Sequence, residues 1–177
     1  MLFRSEFYKN EAARLLDNSD AKAYLRHVER RLIEEDGRVA AFLAATTEPM
    51  LRLILEQRLI HAHLVTIIKM PGSGVFNMLR DHSTDDLRRA YKLISRVKVE
   101  GPDLFKQALK HFITMMGDDI NKLVEPGGKA ATPGASSTAS SVQAAHALTW
   151  VDEVLKLKTK MDDLHRTCLD EDKPIEA

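Results

Sequence analysis

His63-Leu64-Val65-Thr66-Ile67-Ile68-Lys69-Met70-Pro71-Gly72-Ser73-Gly74-Val75-Phe76-Asn77-Met78-Leu79, with Asp86-Leu87-Arg88-Arg89-Ala90-Tyr91-Lys92-Leu93-Ile94-Ser95-Arg96-Val97 shortly after it, decides the fold. Both stretches carry Leu, Ile and Val at helical density, and Pro71-Gly72-Ser73-Gly74 breaks the first of them. The reading is helix, bend, a short helix from Val75 to Leu79, then another helix. Gly74 is expected to supply backbone angles denied to other residues. Ser83-Thr84-Asp85-Asp86 resembles a capping box with Asp in place of the usual Glu, which puts Leu87, Tyr91 and Ile94 on one face of the helix it starts. Pro71-Gly72-Ser73-Gly74 is no phosphate loop, because no Lys-Ser or Lys-Thr follows and no strand precedes it.

Upstream, apolar residues from Met50 to Ile68 cover most of the helix circumference, as in a helix packed on several sides. Thr46-Thr47-Glu48-Pro49 starts that helix, since a Thr oxygen caps free amides and Pro is tolerated in the first turn. Before it, Leu25, Val28, Leu32, Glu35, Val39 and Phe42 repeat at spacings of three and four, a seam with one polar interruption at Glu35. Asp17-Asn18-Ser19-Asp20 supplies turn and capping chemistry between that helix and a first amphipathic one, where Phe3, Phe7, Ala12, Leu15 and Leu16 are available for burial.

Downstream, Gly101-Pro102-Asp103 restarts the chain, and Phe105, Ala108, Phe112, Met116, Ile120 and Leu123 form the next stripe. Residues 126–143 turn abruptly to Gly, Ala, Ser and Thr, too little apolar area to offset the entropy of ordering, so a flexible insertion is expected. Ala147, Trp150, Val154, Leu157, Met161, Leu164 and Cys168 then repeat along a last helix. The expected organisation is an N-terminal helix (1–18), a helical bundle (19–125), the insertion (126–143), a closing helix (144–169) and a disordered tail (170–177). The expected core residues are Leu55, Leu59, Val65 and Ile68 in the middle, Leu87 and Tyr91 beside them, and Trp150 and Leu157 closing the bundle. Met70, Met78, Met115, Met116 and Met161 read as core filling.

With 177 residues, 44% of them hydrophobic, the chain has material for one substantial core. Lys plus Arg number 26 and Asp plus Glu number 26, so no overall field draws it to nucleic acid or an anionic membrane, and proteins are the expected partners. Cys168 is the single cysteine, which excludes an internal disulfide framework and a Cys-only metal site. The sequence has neither a secretory leader pattern nor a run of about 18 apolar residues that would span a bilayer. An intracellular, reducing location, cytoplasm or nucleus, is the expectation.

His61 and His63 stand two apart on a helix and project to nearly opposite sides, unlike the spacings of three or four that pair metal ligands. His27, His82, His111, His146 and His165 share no useful spacing. Cys168 lies on an apolar seam and reads as a small buried hydrophobe rather than a thiolate. Arg26, Arg30 and Arg31 are balanced by Glu29, Glu34, Glu35 and Asp36, a solvated face with i,i+4 pairs. No catalytic residue, metal ligand or cofactor site is expected; a Ser-based or metal-dependent hydrolase would need side chains that converge only in three dimensions.

Leu59, Ile60, His63, Thr66, Ile67, Ile68, Met70, Ser73, Gly74, Met78 and Leu79, then Asp86, Leu87, Tyr91, Lys92, Leu93, Ser95, Arg96 and Val97, resemble the cullin family, within it the cullin-3 type. The likeness extends back through Phe7, Tyr8, Tyr24, Val28, Glu29, Arg31, Glu34, Glu35, Arg38 and Val39, and forward to Gly117 and Val154-Leu155-Lys156-Leu157-Lys158. The chain resembles the end of the second and the whole third cullin repeat of the N-terminal stalk.

That resemblance implies an all-α, elongated, cullin-repeat-like bundle of about six or seven helices. It also implies a non-catalytic role as a scaffold segment of a cullin-RING ubiquitin ligase, with a BTB-domain adaptor and a RING protein as partners if the missing ends are present. No first repeat, RING-recruiting domain or winged-helix segment with its neddylation lysine is recognised, so a truncated cullin is expected. The alternative is an unrelated helical protein-interaction module.

Overall fold

Helix-forming residues separated by short polar or Gly/Pro breaks dictate a stack of rods, and the computed structural model, which describes residues 2–42, 48–98, 100–124 and 139–169, is built that way. Helix α1 (Leu2–Asn18) turns through Ser19-Asp20 into α2 (Ala21–Phe42). The Asp20 carboxylate accepts the Ala23 amide at 2.7 Å, the cap expected there. Helix α3 (Glu48–Leu55) runs into a widened π-turn (Glu56–Ile60) and a 3-10 turn (His61–His63), and continues as α4 (Leu64–Lys69). After the bend come α5 (Val75–Arg80), α6 (Thr84–Ile94) and α7 (Glu100–Val124). Helix α8 (Ala139–Leu164) ends in a second π-turn (His165–Leu169). Counting residues 48–69 as one run, the described residues make seven helical rods and no strand.

The π-turn decides which side of the third rod points inward. Leu51 and Leu55 are buried before it, Leu59 and Ile60 within it, and Leu64, Ile67 and Ile68 after it. The wide turn advances the register by about one residue, and Val65 is left 49% exposed instead of in the core where it was expected. Because this run is apolar nearly all round, periodicity could not separate Leu64 from Val65.

At the bend the two glycines have different jobs. Gly72, at φ +75°, takes the left-handed conformation. Gly74 does not: its φ of −65° is open to any residue. It is glycine for want of space, since a Cβ there would lie 2.5 Å from the Ile68 carbonyl oxygen and 2.8 Å from that of Met70. The expected capping box at Ser83 is also absent. The Ser83 hydroxyl makes no cap bond and instead accepts from Lys22 at 3.0 Å, while Asp86 is taken by arginines.

The core lies where α2, α6 and the third rod meet α5 and α7. Tyr24, Leu25, Leu55, Leu59, Met78 and Leu87 are wholly buried. The Tyr91 ring meets Phe105 edge-on at 5.1 Å, and Phe76 meets Phe112 at 5.5 Å. Among the described side chains of α1 it is Tyr8 and Ala12 that are buried, Phe3 lying outside them; Phe7, expected inside, is 53% exposed with the Arg31 guanidinium over its ring.

Helix α8 begins at Ala139, ahead of the expected 144 and inside the anticipated insertion, because Ala-rich sequence there sustains helix. Residues 125–138 and the tail from 170 lie outside the described residues, as do Thr46 and Thr47. Along α8 the apolar stripe sinks progressively. Trp150 is 40% exposed, Val154, Leu157 and Met161 are half-buried, and Leu164 and Cys168 are buried. Among the described side chains of α8, those of its C-terminal part are seated in the core, so Trp150, expected inside, closes the bundle at its rim: its indole N–H donates to Asn121 Oδ1 at 3.0 Å.

Candidate functional site

Of the eight side chains expected to hold the bundle, Leu55, Leu59, Ile68, Leu87 and Tyr91 are buried, Leu157 is half-buried against them, and Val65 and Trp150 are at the surface. Around this core the structure adds a polar clasp that sequence reading missed. The Arg26 guanidinium on α2 grips Asp86 on α6 with both prongs, its Nη2 standing 2.8 Å from Oδ1 and 3.0 Å from Oδ2. Arg89 reaches the same carboxylate at 2.9 Å and also binds Glu29. One turn earlier Lys22 holds Ser83, and the Ala21 amide donates to the buried Ser73 hydroxyl at 3.0 Å.

Arg26 and Arg31 were expected on a solvated face, paired along their own helix. Arg26 instead crosses to α6, and Arg31, though it keeps Glu34, binds Glu11 on α1 at 3.0 Å. Burial opposes the Arg31 charge, but Glu11 and Glu34 more than offset this and its pKa is raised. Partners twenty or sixty residues apart leave no periodic trace in a sequence.

The third rod is pinned to α2 by Tyr24, whose hydroxyl donates to the Leu59 carbonyl at 2.7 Å. Burial, with Glu11 adding to it, raises the phenol well above its usual pKa, so it remains a donor. His63 packs edge-on against the same ring and its pKa is lowered by burial.

At the far end Arg88 donates twice to the Thr167 carbonyl, at 3.0 and 2.7 Å, satisfying a backbone acceptor in the π-turn that ends the last described helix. Cys168 Sγ lies 3.4 Å from the Thr84 carbonyl, and Lys160, whose pKa burial lowers, donates to the Arg80 carbonyl at 2.9 Å.

The groups that could carry chemistry are dispersed. His27 faces Glu11, His61 faces Glu100, and His82 faces Asp163. Beside His82, the Ser83 hydroxyl is engaged by Lys22 rather than by an imidazole. Among the described residues no three His, Cys, Asp or Glu side chains gather as a metal would require, and no helix is long and apolar enough to cross a membrane. These contacts tie the N-terminal half of α2 to the N-terminal half of α6, and each of these to a further neighbouring helix.

A family profile described as the cullin alpha solenoid domain matches residues 4–177. Cullin-3 of Dictyostelium discoideum is 31% identical over 98% of this chain and 20% of its own length. Cullin-3A of Arabidopsis thaliana is 39% identical over 52% of this chain and 13% of its own, and cullin-4A of Mus musculus 33% over 64% and 14%. The chain therefore spans about a fifth or less of the curated relatives it matches.

Proposed function

The chain belongs to the cullin family, and from that premise we propose that it is a non-catalytic scaffold segment of a cullin-RING ubiquitin ligase, serving ubiquitin-dependent protein degradation. The observation that carries this reading is the cullin alpha solenoid match over residues 4–177. It sets aside the alternative of an unrelated helical interaction module. The partners are proteins: a BTB-domain adaptor and a RING protein, held by other parts of a longer scaffold in the cytoplasm or nucleus. Residues 19–125 and 139–169 act as one repeat, with 126–138 as an insertion.

A strut of this kind contributes geometry. Holding a substrate receptor at a fixed distance from a charged conjugating enzyme converts an encounter between two diffusing bodies into a positioned one. The buried Tyr24–Leu59 bond and the Arg26–Asp86 clasp supply the stiffness that role needs.

The test is a chimera in which this chain replaces the matching segment of the Dictyostelium discoideum cullin-3. Ubiquitin transfer to a BTB-recruited substrate is then measured in reconstitution. Transfer close to the parent's rate is expected. A chimera that folds, binds both adaptor and RING protein and yet transfers no ubiquitin would refute the scaffold role.

A further inference from the structure

We propose that the cleft between the bend and α7 is a docking groove for an amphipathic helix of a partner protein, one that carries acidic residues beside its apolar face. The cleft measures about 650 Å³, a size that accepts several apolar side chains, and Met70, Phe76, Leu104 and Met115 line it. Met115, expected in the core, is 37% exposed here. The two thioethers give the walls a soft surface that adapts to the shape presented.

Charge selects the partner's sign. No Asp or Glu lines the cleft, whereas Lys69 and His111 do. Lys69 is exposed, and among the described residues its ammonium has no ion-pair or hydrogen-bond partner, in contrast to the paired cations of the clasp. Carboxylates on the docked segment would neutralise it, while a basic segment would be repelled.

Backbone geometry selects the partner's conformation. The elements around the groove are helices, and at the bend the Met70 carbonyl already accepts from the Gly74 amide at 2.9 Å and the Ser73 amide at 3.4 Å. Helical walls bond their backbone internally and present no sheet edge for an extended strand to pair with, so the occupant satisfies its own backbone, as a helix does. This inference is independent of the ligase reading, because it rests on the groove alone.

The probe is a fluorescein-labelled amphipathic peptide with Leu at positions i, i+3, i+4 and i+7 flanked by Glu, compared with the same peptide flanked by Lys. Both are titrated into the full chain with anisotropy and nitrogen-15 chemical shifts as readouts. The Glu peptide is expected to bind at least about tenfold more tightly, with shifts at Lys69, Phe76, Gln107 and His111. Lys69→Glu should reverse the preference. Gln107→Trp, at an exposed position whose variant keeps its Tm, should block both peptides. Equal binding of the two peptides, shifts confined to other surfaces, or no saturation at millimolar peptide would overturn the proposal.

Discussion

The Tyr24 hydroxyl donates to the Leu59 carbonyl at 2.7 Å, joining α2 to the third rod where that rod widens into a π-turn. A π-turn loosens the regular ladder of amide bonds, and a buried carbonyl at such a point is stabilised by a donor from outside the helix. Tyr24→Phe keeps the ring and removes the donor, so it should cost about 1–3 kcal/mol in urea unfolding.

The same pair predicts a response to pH. Tyr24 has a raised pKa in the folded state, caused first by burial and second by Glu11. A raised folded pKa stabilises the fold fully below the unfolded phenol value of about 10, and that contribution is lost as pH climbs above it. Stability measured between pH 9 and pH 11.5 (roughly the range spanning the unfolded phenol pKa) should fall more steeply in the parent protein than in Tyr24→Phe. Parallel curves would show that the phenol is not buried as described.

At the bend, the two glycines separate conformation from space. Gly72→Ala asks a residue to hold a left-handed backbone, which costs about 1–2 kcal/mol. Gly74→Ala puts a methyl against the Ile68 and Met70 carbonyls, which cannot retreat without opening α4, and should cost about 3 kcal/mol or more. Thermal unfolding of the two variants checks the order; a larger loss at Gly72 would contradict the geometry.

Leu59→Ala removes a wholly buried side chain and should cost about 2–5 kcal/mol. Val65→Ala, six residues on but outside the core, should fall within about 0.5 kcal/mol of the parent. Similar losses at both positions would mean that the π-turn does not shift the inward face.

A double-mutant cycle over Arg26→Ala and Asp86→Ala measures the clasp. The Arg26 side chain is 59% exposed, so solvent screening limits the coupling to about 1 kcal/mol, and it should shrink as salt is added. A coupling of zero at low salt would remove the clasp as a source of stiffness.

Much of the fold is legible in the sequence where one kind of residue marks one kind of position. The three-four repeat of Leu25, Val28, Leu32, Glu35 and Val39 is buried throughout, Glu35 by pairing with Arg38. Leu87, Tyr91 and Ile94 are buried on one face of α6. Legibility fails where several registers are equally apolar, as at Val65, or where an aromatic residue has an adjacent rival, as Phe7 has Tyr8. It fails too for the clasp, because nothing in the local sequence of Arg26 encodes the approach of Asp86. Trp150 reads as core by its place in the repeat of the last helix, yet its indole N–H needs a partner, and Asn121 at the rim provides one.

On the scaffold role proposed above, the chain is a stiff strut whose usefulness lies in its shape. The most direct measurement is the distance distribution between spin labels at Lys9 on α1 and Lys158 on α8, both exposed, in a Cys168→Ala background so that no buried thiol competes. A single narrow distribution is predicted, and Tyr24→Phe should leave its centre unchanged. A broad or multi-peaked distribution from a protein with full helical content would contradict it.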